Sequence, residues 1–242
     1  MTNTQGNRGW AAMMVAATLM MLAAAIAAPA QSAPFISLHG FDLTDGANPY
    51  AALIQAADGN LYGTTGAGGG LGSCAPGGCG TVFRITLSGT LTTLHNFCSQ
   101  SACADGASPE AALVQAIDGN FYGTTTAGGA SGIGTVFKIS PIGTLTTLHS
   151  FDGTDGSNPY GPLVQAKDGN FYGTTAFGGA NDWGTVFKMS PSGILTTLYS
   201  FCSQSGCTDG SEPLAGVVQG KDGTSTGQPS WAGPEAAERS SR

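Results

Sequence analysis

The amino-acid sequence predicts an all-β protein: a β-propeller-like array of four-stranded antiparallel blades of about 50 residues, three complete and one split or incomplete. Three observations support this fold class. One block of sequence recurs in the same order across residues 35–223. Within each block, short runs rich in Thr, Val, Phe, Tyr and Ile alternate with turn signals. Glycine supplies 39 of 242 residues, and its recurrence argues against long helices.

Each unit contains four predicted strands, which the third copy illustrates. Strand A is Leu-Val-Gln-Ala at 163–166, and the Asp-Gly-Asn turn after it is typical of a β-hairpin. Strand B is Phe-Tyr-Gly-Thr-Thr at 171–175, strand C begins with Thr-Val-Phe-Lys at 185–188, and strand D begins with Leu-Thr-Thr-Leu at 195–198. The A strands are expected near 52–56, 112–116, 162–166 and 216–220.

A phenylalanine closes each unit and sets the unit boundaries. The predicted units are 42–97, 98–151 and 152–201, followed by a partial unit at 202–223. Residues 35–41 match the end of a unit, so we expect a strand D there that completes the last blade. A stacked β-solenoid is the rival fold, but its coils are usually shorter and lack tight antiparallel turns.

Residues 1–30 have the features of a secretory signal peptide. Arg8 precedes an apolar run from Ala11 to Ala28, and Ala28-Pro29-Ala30 forms a small-x-small cleavage site. A retained transmembrane anchor is the alternative, although the run is barely long enough to cross a bilayer. We therefore expect residues 31–223 to form an exported repeat domain.

Six cysteines form three pairs with the same Cys-x4-Cys spacing, in loops between predicted strands. Such pairs in an exported chain indicate local disulfides. Zinc is the weaker alternative, because it needs four ligands brought together and no histidine lies in these loops. Free thiols are the third interpretation. The expected bridges are Cys74–Cys79, Cys98–Cys103 and Cys202–Cys207.

The charge balance excludes two classes of partner. Eight Lys and Arg residues against fifteen Asp and Glu residues leave a net charge of −7. Nucleic acids and anionic membrane surfaces both require clustered positive charge, so neither is expected as a partner. After signal cleavage we expect no attachment to a membrane.

The repeated motifs resemble those of a known bacterial family. Gly-Thr-Val-Phe-Lys, Leu-Thr-Thr-Leu, Phe-Asp-Gly-Thr-Asp-Gly and Asp-Gly-Asn-Phe-Tyr-Gly-Thr-Thr are similar to the repeat of the choice-of-anchor tandem repeat GloVer-containing proteins. The resemblance covers residues 35–223. It implies an exported repeat protein of a bacterium, secreted, periplasmic or at the cell surface, and it provides no catalytic residues to transfer.

The B–C and D–A loops should emerge on one face of the blades, which makes that face the expected ligand site. Its acidic pairs could bind Ca²⁺ through oxygen ligands, but Asp-Gly with Asn is also ordinary turn chemistry. No other cofactor or metal is expected. A paired-carboxylate hydrolase is disfavoured because the pairs recur with the repeat. The candidate acidic residues are Asp42, Asp45, Asp152 and Asp155.

Two further sets of polar residues occupy equivalent repeat positions. His39, His95 and His149 should lie far apart on outer strands, so packing is favoured over metal binding. One glutamine on each strand A could form a polar ring that binds a sugar, or could satisfy contacts between blades. These glutamines are Gln55, Gln115, Gln165 and Gln219.

The sequence thus predicts a secreted, non-enzymatic binding or surface-interaction module with a carbohydrate or protein ligand. The alternatives are an extracellular polysaccharide hydrolase and a truncated family member without a selected function. Residues 224–242 match nothing in the repeat, so we expect a disordered tail that arose by a frameshift or a misjudged gene end. An incomplete last blade would leave an open edge for self-association.

Overall fold

The computed structural model describes residues 35–70, 74 and 77–220, together with the backbone of 225–226. It contains three four-stranded antiparallel sheets and a two-stranded one, so the predicted all-β, propeller-like fold class is confirmed. All of these elements lie in the compact unit Ser37–Arg242. The predicted signal peptide at 1–30 and residues 224 and 227–242 of the predicted tail lie outside the described residues.

Each four-stranded sheet is a meander in which neighbouring strands follow chain order. The first sheet contains β1 (Ile54–Gln55), β2 (Leu61–Thr65), β3 (Thr81–Ile85) and β4 (Leu91–Asn96). The second contains β5 (Val114–Gln115), β6 (Phe121–Thr125), β7 (Thr135–Ile139) and β8 (Leu145–Ser150). The third contains β9 (Val164–Gln165), β10 (Phe171–Thr175), β11 (Thr185–Met189) and β12 (Leu195–Ser200). The last pair is β13 (Val218–Gln219) and β14 (Ser225–Thr226).

The A–B hairpins follow from local turn chemistry. In the first unit, Gly59 has φ of +81°, which a residue without a Cβ adopts readily. One carboxylate oxygen of Asp58 accepts a hydrogen bond from the backbone N–H of Asn60 at 3.0 Å, and the other accepts one from the hydroxyl of Tyr62 at 2.8 Å. The turn is therefore anchored to the strand that follows it.

A glycine in the middle of each strand B makes room for the phenylalanine of strand C. Gly123 pairs with Phe137 across β6 and β7. A Cβ added at Gly123 would lie 2.7 Å from the Phe137 ring, closer than real Cβ contacts allow. The same pair recurs in each sheet, so the aromatic ring of strand C lies against the glycine of strand B.

Aromatic rings join each unit to the next. Tyr62 of β2 stacks on Phe121 of β6, and Tyr122 of β6 stacks on Phe171 of β10, each with ring centroids 4.1 Å apart. All four side chains are buried. The ring of Tyr172, at the equivalent position of the third unit, is only half-buried. The hydrophobic core thus lies between neighbouring sheets.

The ends of the array differ from the expectation in two places. Residues 35–41 form no strand, because no strand C lies beside them among the described residues. They still take the place of a strand D, with the ring of Phe41 5.2 Å from that of Phe83. At the other end, Ser225–Thr226 pair with β13 inside the segment where no strand was expected.

Candidate functional site

The B–C and D–A loops of each unit touch one another and form one surface, which we call the loop face. In each complete unit, one residue of the D–A loop pairs with one residue of the B–C loop through an isolated antiparallel bridge. These bridges are Ala47–Ala67, Ala107–Ala127 and Ser157–Phe177. The loops are thus anchored by backbone hydrogen bonds as well as by the sheets that carry them.

The acidic pairs of the loop face form local hydrogen bonds. In the first D–A loop, Asp42 accepts hydrogen bonds from the hydroxyl and the backbone N–H of Thr44 at 2.6 and 3.0 Å, and these hold the pKa of Asp42 below its usual value. Asp45 accepts a hydrogen bond from the backbone N–H of Asp42 at 3.1 Å. Asp152 and Asp155 repeat this geometry. These contacts are those of a turn, and Ca²⁺ binding there stays a prediction.

One aspartate of each D–A loop also contacts the side chain at the repeat position that is a histidine in three units and a tyrosine in the fourth. The three histidines were expected to serve in packing. Each histidine also packs edge-on against the phenylalanine two residues later, at centroid distances of 5.1 to 5.2 Å. The pairing with aspartate was missed, although the joint recurrence of the two residues in every unit could have indicated it. The pairs are His39–Asp45 at 2.6 Å, His95–Asp105 at 3.0 Å, His149–Asp155 at 2.6 Å and Tyr199–Asp209 at 2.5 Å.

The strand A glutamines make contacts between units. The side-chain oxygen of Gln115 accepts a hydrogen bond from the backbone N–H of Ala57 at 3.0 Å, and that of Gln165 accepts one from Ile117 at 3.0 Å. Gln219 accepts one from Lys167 at 3.3 Å. The amide of Gln55 donates within its own turn. Amides that connect blades were one of the two expectations for these residues, and sugar binding by them stays a prediction.

All six cysteines are paired as the spacing predicts: Cys74–Cys79, Cys98–Cys103 and Cys202–Cys207. The first two disulfides lie side by side, although the sequence predicted only the pairing within each loop. The Sγ atoms of Cys74 and Cys98 are 3.5 Å apart. Cys79 and Cys98 are buried, whereas Cys74 and Cys103 are half-buried. Four of the six sulfur atoms therefore share one small volume.

A pocket of about 400 Å³ opens on the loop face beside the third disulfide. The side chain of Trp183 is 42% exposed. The backbone N–H of Glu212 donates to the carbonyl oxygen of Trp183 at 3.0 Å, which holds the two residues together across the junction between units. The lining residues are Trp183, Cys207, Ser211 and Glu212. Neither the pocket nor a role for Trp183 was predicted from the sequence.

The position of Trp183 recurs in every unit with a different side chain. The carbonyl oxygens of Cys79 and Ile133 accept hydrogen bonds from the backbone N–H groups of Ser108 and Asn158, both at 2.8 Å, as that of Trp183 does from Glu212. One backbone geometry therefore presents a disulfide in the first unit, an isoleucine in the second and a tryptophan in the third.

No helix among the described residues has the length and apolar character needed to cross a membrane.

Comparison with known proteins identifies a repeat family. The sequence pattern of the Gloeobacter/Verrucomicrobia repeat matches residues 27–236. No curated protein matches the chain.

Solved structures with a related arrangement have low sequence identity to this chain. A proposed gluconolactonase is 14% identical, with a TM-score of 0.45 over 73% of this chain. The extracellular domain of a proposed hybrid two-component system from B. thetaiotaomicron is 12% identical, with a TM-score of 0.49 over 84%. A proposed 6-phosphogluconolactonase from Bacteroides uniformis is 18% identical, with a TM-score of 0.42 over 72%. The chain spans 61%, 24% and 48% of these structures, respectively.

Proposed function

The chain belongs to the Gloeobacter/Verrucomicrobia repeat family, and we propose that it is an exported, non-enzymatic module that binds a carbohydrate on its loop face. The observation that carries this proposal is the pocket beside Trp183. Its volume of about 400 Å³ lies within the range typical of small-ligand sites. An exposed indole provides an apolar face with a polar edge, which suits the C–H face of a sugar ring.

The polar lining of the pocket supports a ligand rich in hydroxyl groups. Glu212 has an acidic side chain that accepts hydrogen bonds from hydroxyls, and its backbone is held to Trp183. A rigid scaffold with variable residues at one loop position is a common way to build a binding site. The pocket residues Trp183 and Glu212 stand where the preceding junction has Ile133 and Asn158.

The location outside the cytoplasm rests on two features. The leader at 1–30 has the pattern of a signal peptide, and three cysteine pairs at bonding distance fit an oxidising compartment. Cell fractionation after expression in a bacterium checks this part of the proposal. The mature chain should begin at Gln31 and be absent from the cytoplasmic fraction.

A glycan array tests the binding role. The mature chain should bind at least one glycan class, equally with and without Ca²⁺. Trp183→Ile places the residue of the second unit at the same backbone position, and we expect it to weaken binding about tenfold or more, which corresponds to about 1.4 kcal/mol. Ile117→Ala is the matched control, because Ile117 is 90% exposed on the opposite face and should bind as the parent chain does.

Three results would count against this function. Absence of binding to any glycan would favour a protein ligand, and equal binding by Trp183→Ile would remove the pocket from the site. Release of reducing ends from a bound glycan would favour the hydrolase alternative. Thermal unfolding of each variant separates loss of the ligand site from loss of the fold.

A further inference from the structure

Four cysteines from two loops form a sulfur cluster on the loop face. Cys74 and Cys79 lie between β2 and β3, whereas Cys98 and Cys103 lie between β4 and β5. Their four Sγ atoms are all within 4.8 Å of one another, and those of Cys74 and Cys98 are 3.5 Å apart. Two disulfides thus occupy a volume in which four thiolates would converge on one point.

We propose that this sulfur cluster is a redox-gated zinc site: two disulfides close it in the oxidised chain, and four thiolates bind one Zn²⁺ in the reduced chain. Structural zinc sites use four such ligands, with two to four residues between the members of each pair. Both pairs here have four intervening residues. A site made only of sulfur selects a soft or borderline cation over Ca²⁺ or Mg²⁺.

The distances across the cluster suit a tetrahedral ion. With Zn–S bonds of about 2.3 Å, ligand sulfurs lie about 3.8 Å apart in a tetrahedron. The Cys74–Cys98 separation of 3.5 Å is already close to this value. After reduction, the two sulfurs of each pair have to move apart by rotation of the side chains. The Cα atoms are 5.2 Å apart in Cys74–Cys79 and 4.0 Å apart in Cys98–Cys103, so the first pair has more room for that rotation than the second.

Burial of the cluster is graded from the core to the solvent. Cys79 and Cys98 are 2% and 8% exposed and pack in the core between the first two units. Cys74 and Cys103 are half-buried on the solvent side. The buried pair of thiolates would shield the ion from water, and the half-buried pair provides a path for its entry.

The reaction balances with a dithiol as the reductant. Each disulfide takes up two electrons and two protons and becomes two thiols, while one dithiol is oxidised to its cyclic disulfide. Two dithiols are therefore consumed per cluster. Binding of Zn²⁺ then releases the four thiol protons and leaves a complex of charge −2, so acid should oppose binding.

The third disulfide provides an internal control. Cys202 and Cys207 lie in the same kind of D–A loop as Cys98 and Cys103. In the described part of the chain, the sulfur cluster is the only group of three or more metal-ligating side chains that meet. The third pair therefore offers two thiolates after reduction, which is half of a tetrahedral zinc site.

Zinc titration of the reduced mature chain tests the proposal. The chain is reduced with a phosphine, exchanged into buffer without reductant under nitrogen, and titrated with Zn²⁺ against a chelator, with Co²⁺ as the optical probe of tetrahedral thiolate ligation. We expect one ion per chain, absent from the oxidised chain. Cys202→Ser/Cys207→Ser should bind as the parent chain does. Cys98→Ser/Cys103→Ser removes two of the four thiolates and should lose about 1000-fold or more in affinity.

Two outcomes overturn the proposal. One is equal affinity of the two double variants, because any two thiols would then be sufficient. The other concerns a chain that unfolds on reduction alone. Zn²⁺ should then restore the circular dichroism spectrum of the parent chain and of Cys202→Ser/Cys207→Ser, and failure to restore it contradicts the proposal.

Discussion

Two D–A loops of this molecule have nearly the same sequence but lie in different surroundings. Residues 98–106 and 202–210 both follow the pattern Cys-Ser-Gln-Ser-x-Cys-x-Asp-Gly. In each, an aspartate accepts hydrogen bonds from the hydroxyl and the backbone N–H of the serine: Asp105 from Ser99, and Asp209 from Ser203. Each loop also contains a 3-10 turn and a disulfide. The conformation of the loop is therefore encoded within ten residues.

The surroundings of the two loops decide what each one offers chemically. Asp105 is fully buried and pairs with His95, and its loop lies against the Cys74–Cys79 disulfide. Asp209 bonds to Tyr199 in an exposed position, and its loop borders the pocket beside Trp183. The two surroundings differ at one repeat position, two residues before strand C. In the first unit Cys79 places part of the sulfur cluster there, and in the third unit Trp183 lines the pocket.

The largest expected difference between the loops concerns the two aspartates. Asp105→Ala should lower the free energy of unfolding by about 4 kcal/mol, because it removes a fully buried carboxylate and leaves the donors of Ser99, Gln100 and His95 without their acceptor. Asp209→Ala should cost about 1 kcal/mol, since water replaces the carboxylate there. Urea unfolding of both variants measures the two values. Equal losses would contradict the difference in burial.

Removal of the disulfides should have a smaller effect. Cys202→Ser/Cys207→Ser should cost about 2 kcal/mol, the chain-entropy value for so short a loop. Cys98→Ser/Cys103→Ser should cost about 1 kcal/mol more, because Cys98 packs in the core between units. Urea unfolding under non-reducing conditions measures the difference. A greater loss for the 202–207 variant would be the opposite of this expectation.

Acid should weaken both loops, because the pKa of each loop aspartate is lowered in the folded chain. Burial raises the pKa of Asp105, but hydrogen bonds from Ser99 and His95 outweigh it and hold that pKa below its usual value. Burial likewise raises the pKa of Asp209, but the hydrogen bonds from Tyr199 and Ser203 together outweigh burial and hold that pKa below its usual value. Each carboxylate therefore stabilises the fold above about pH 4, the unfolded pKa, and loses this effect as the pH falls through the folded pKa.

The measurement is the stability of the parent chain, Asp105→Asn and Asp209→Asn between pH 5 and pH 2. Each variant should show a flatter decline than the parent chain. A variant whose stability declines as steeply as that of the parent chain would contradict this role of its carboxylate.

The smallest effect on stability is expected at Trp183. Because its side chain is 42% exposed, Trp183→Ile should change the free energy of unfolding by about 0.5 kcal/mol or less. The same substitution is expected to abolish most glycan binding, so stability and binding should separate at this residue. A large loss of stability would instead show that Trp183 is a packing residue of the junction between units.

Local sequence patterns predicted the parts of the fold that local interactions determine. Strand B at 171–175 matches β10, and strand C matches β11 to within a residue, because their β-branched and aromatic residues are bounded by glycines. The A strands shrink to two residues, since only the end next to the turn reaches strand B. Residues 35–41 failed as a strand because strand formation depends on a partner that the segment itself does not specify.

The candidate site was predicted less completely, for a similar reason. The disulfides follow from spacing within one loop, and the loop face follows from the order of strands. The proximity of Cys74 to Cys98, and of Trp183 to Glu212, depends on how one unit packs on the next. That packing is set by contacts such as Tyr62 with Phe121, and it leaves no trace in the spacing of the residues it brings together.

The stacked rings have a consequence for the way in which the array opens. The middle unit stacks on both neighbours, through Phe121 on one side and Tyr122 on the other. In the partial unit that follows the third, Ser225 pairs with Gln219 at the sheet position where Phe171 pairs with Gln165, and Tyr172 of the third unit is left half-buried. Amide hydrogen exchange should therefore be slowest in β6 and β7 and faster in β10 and β11, a gradient of protection in which the third unit frays before the second.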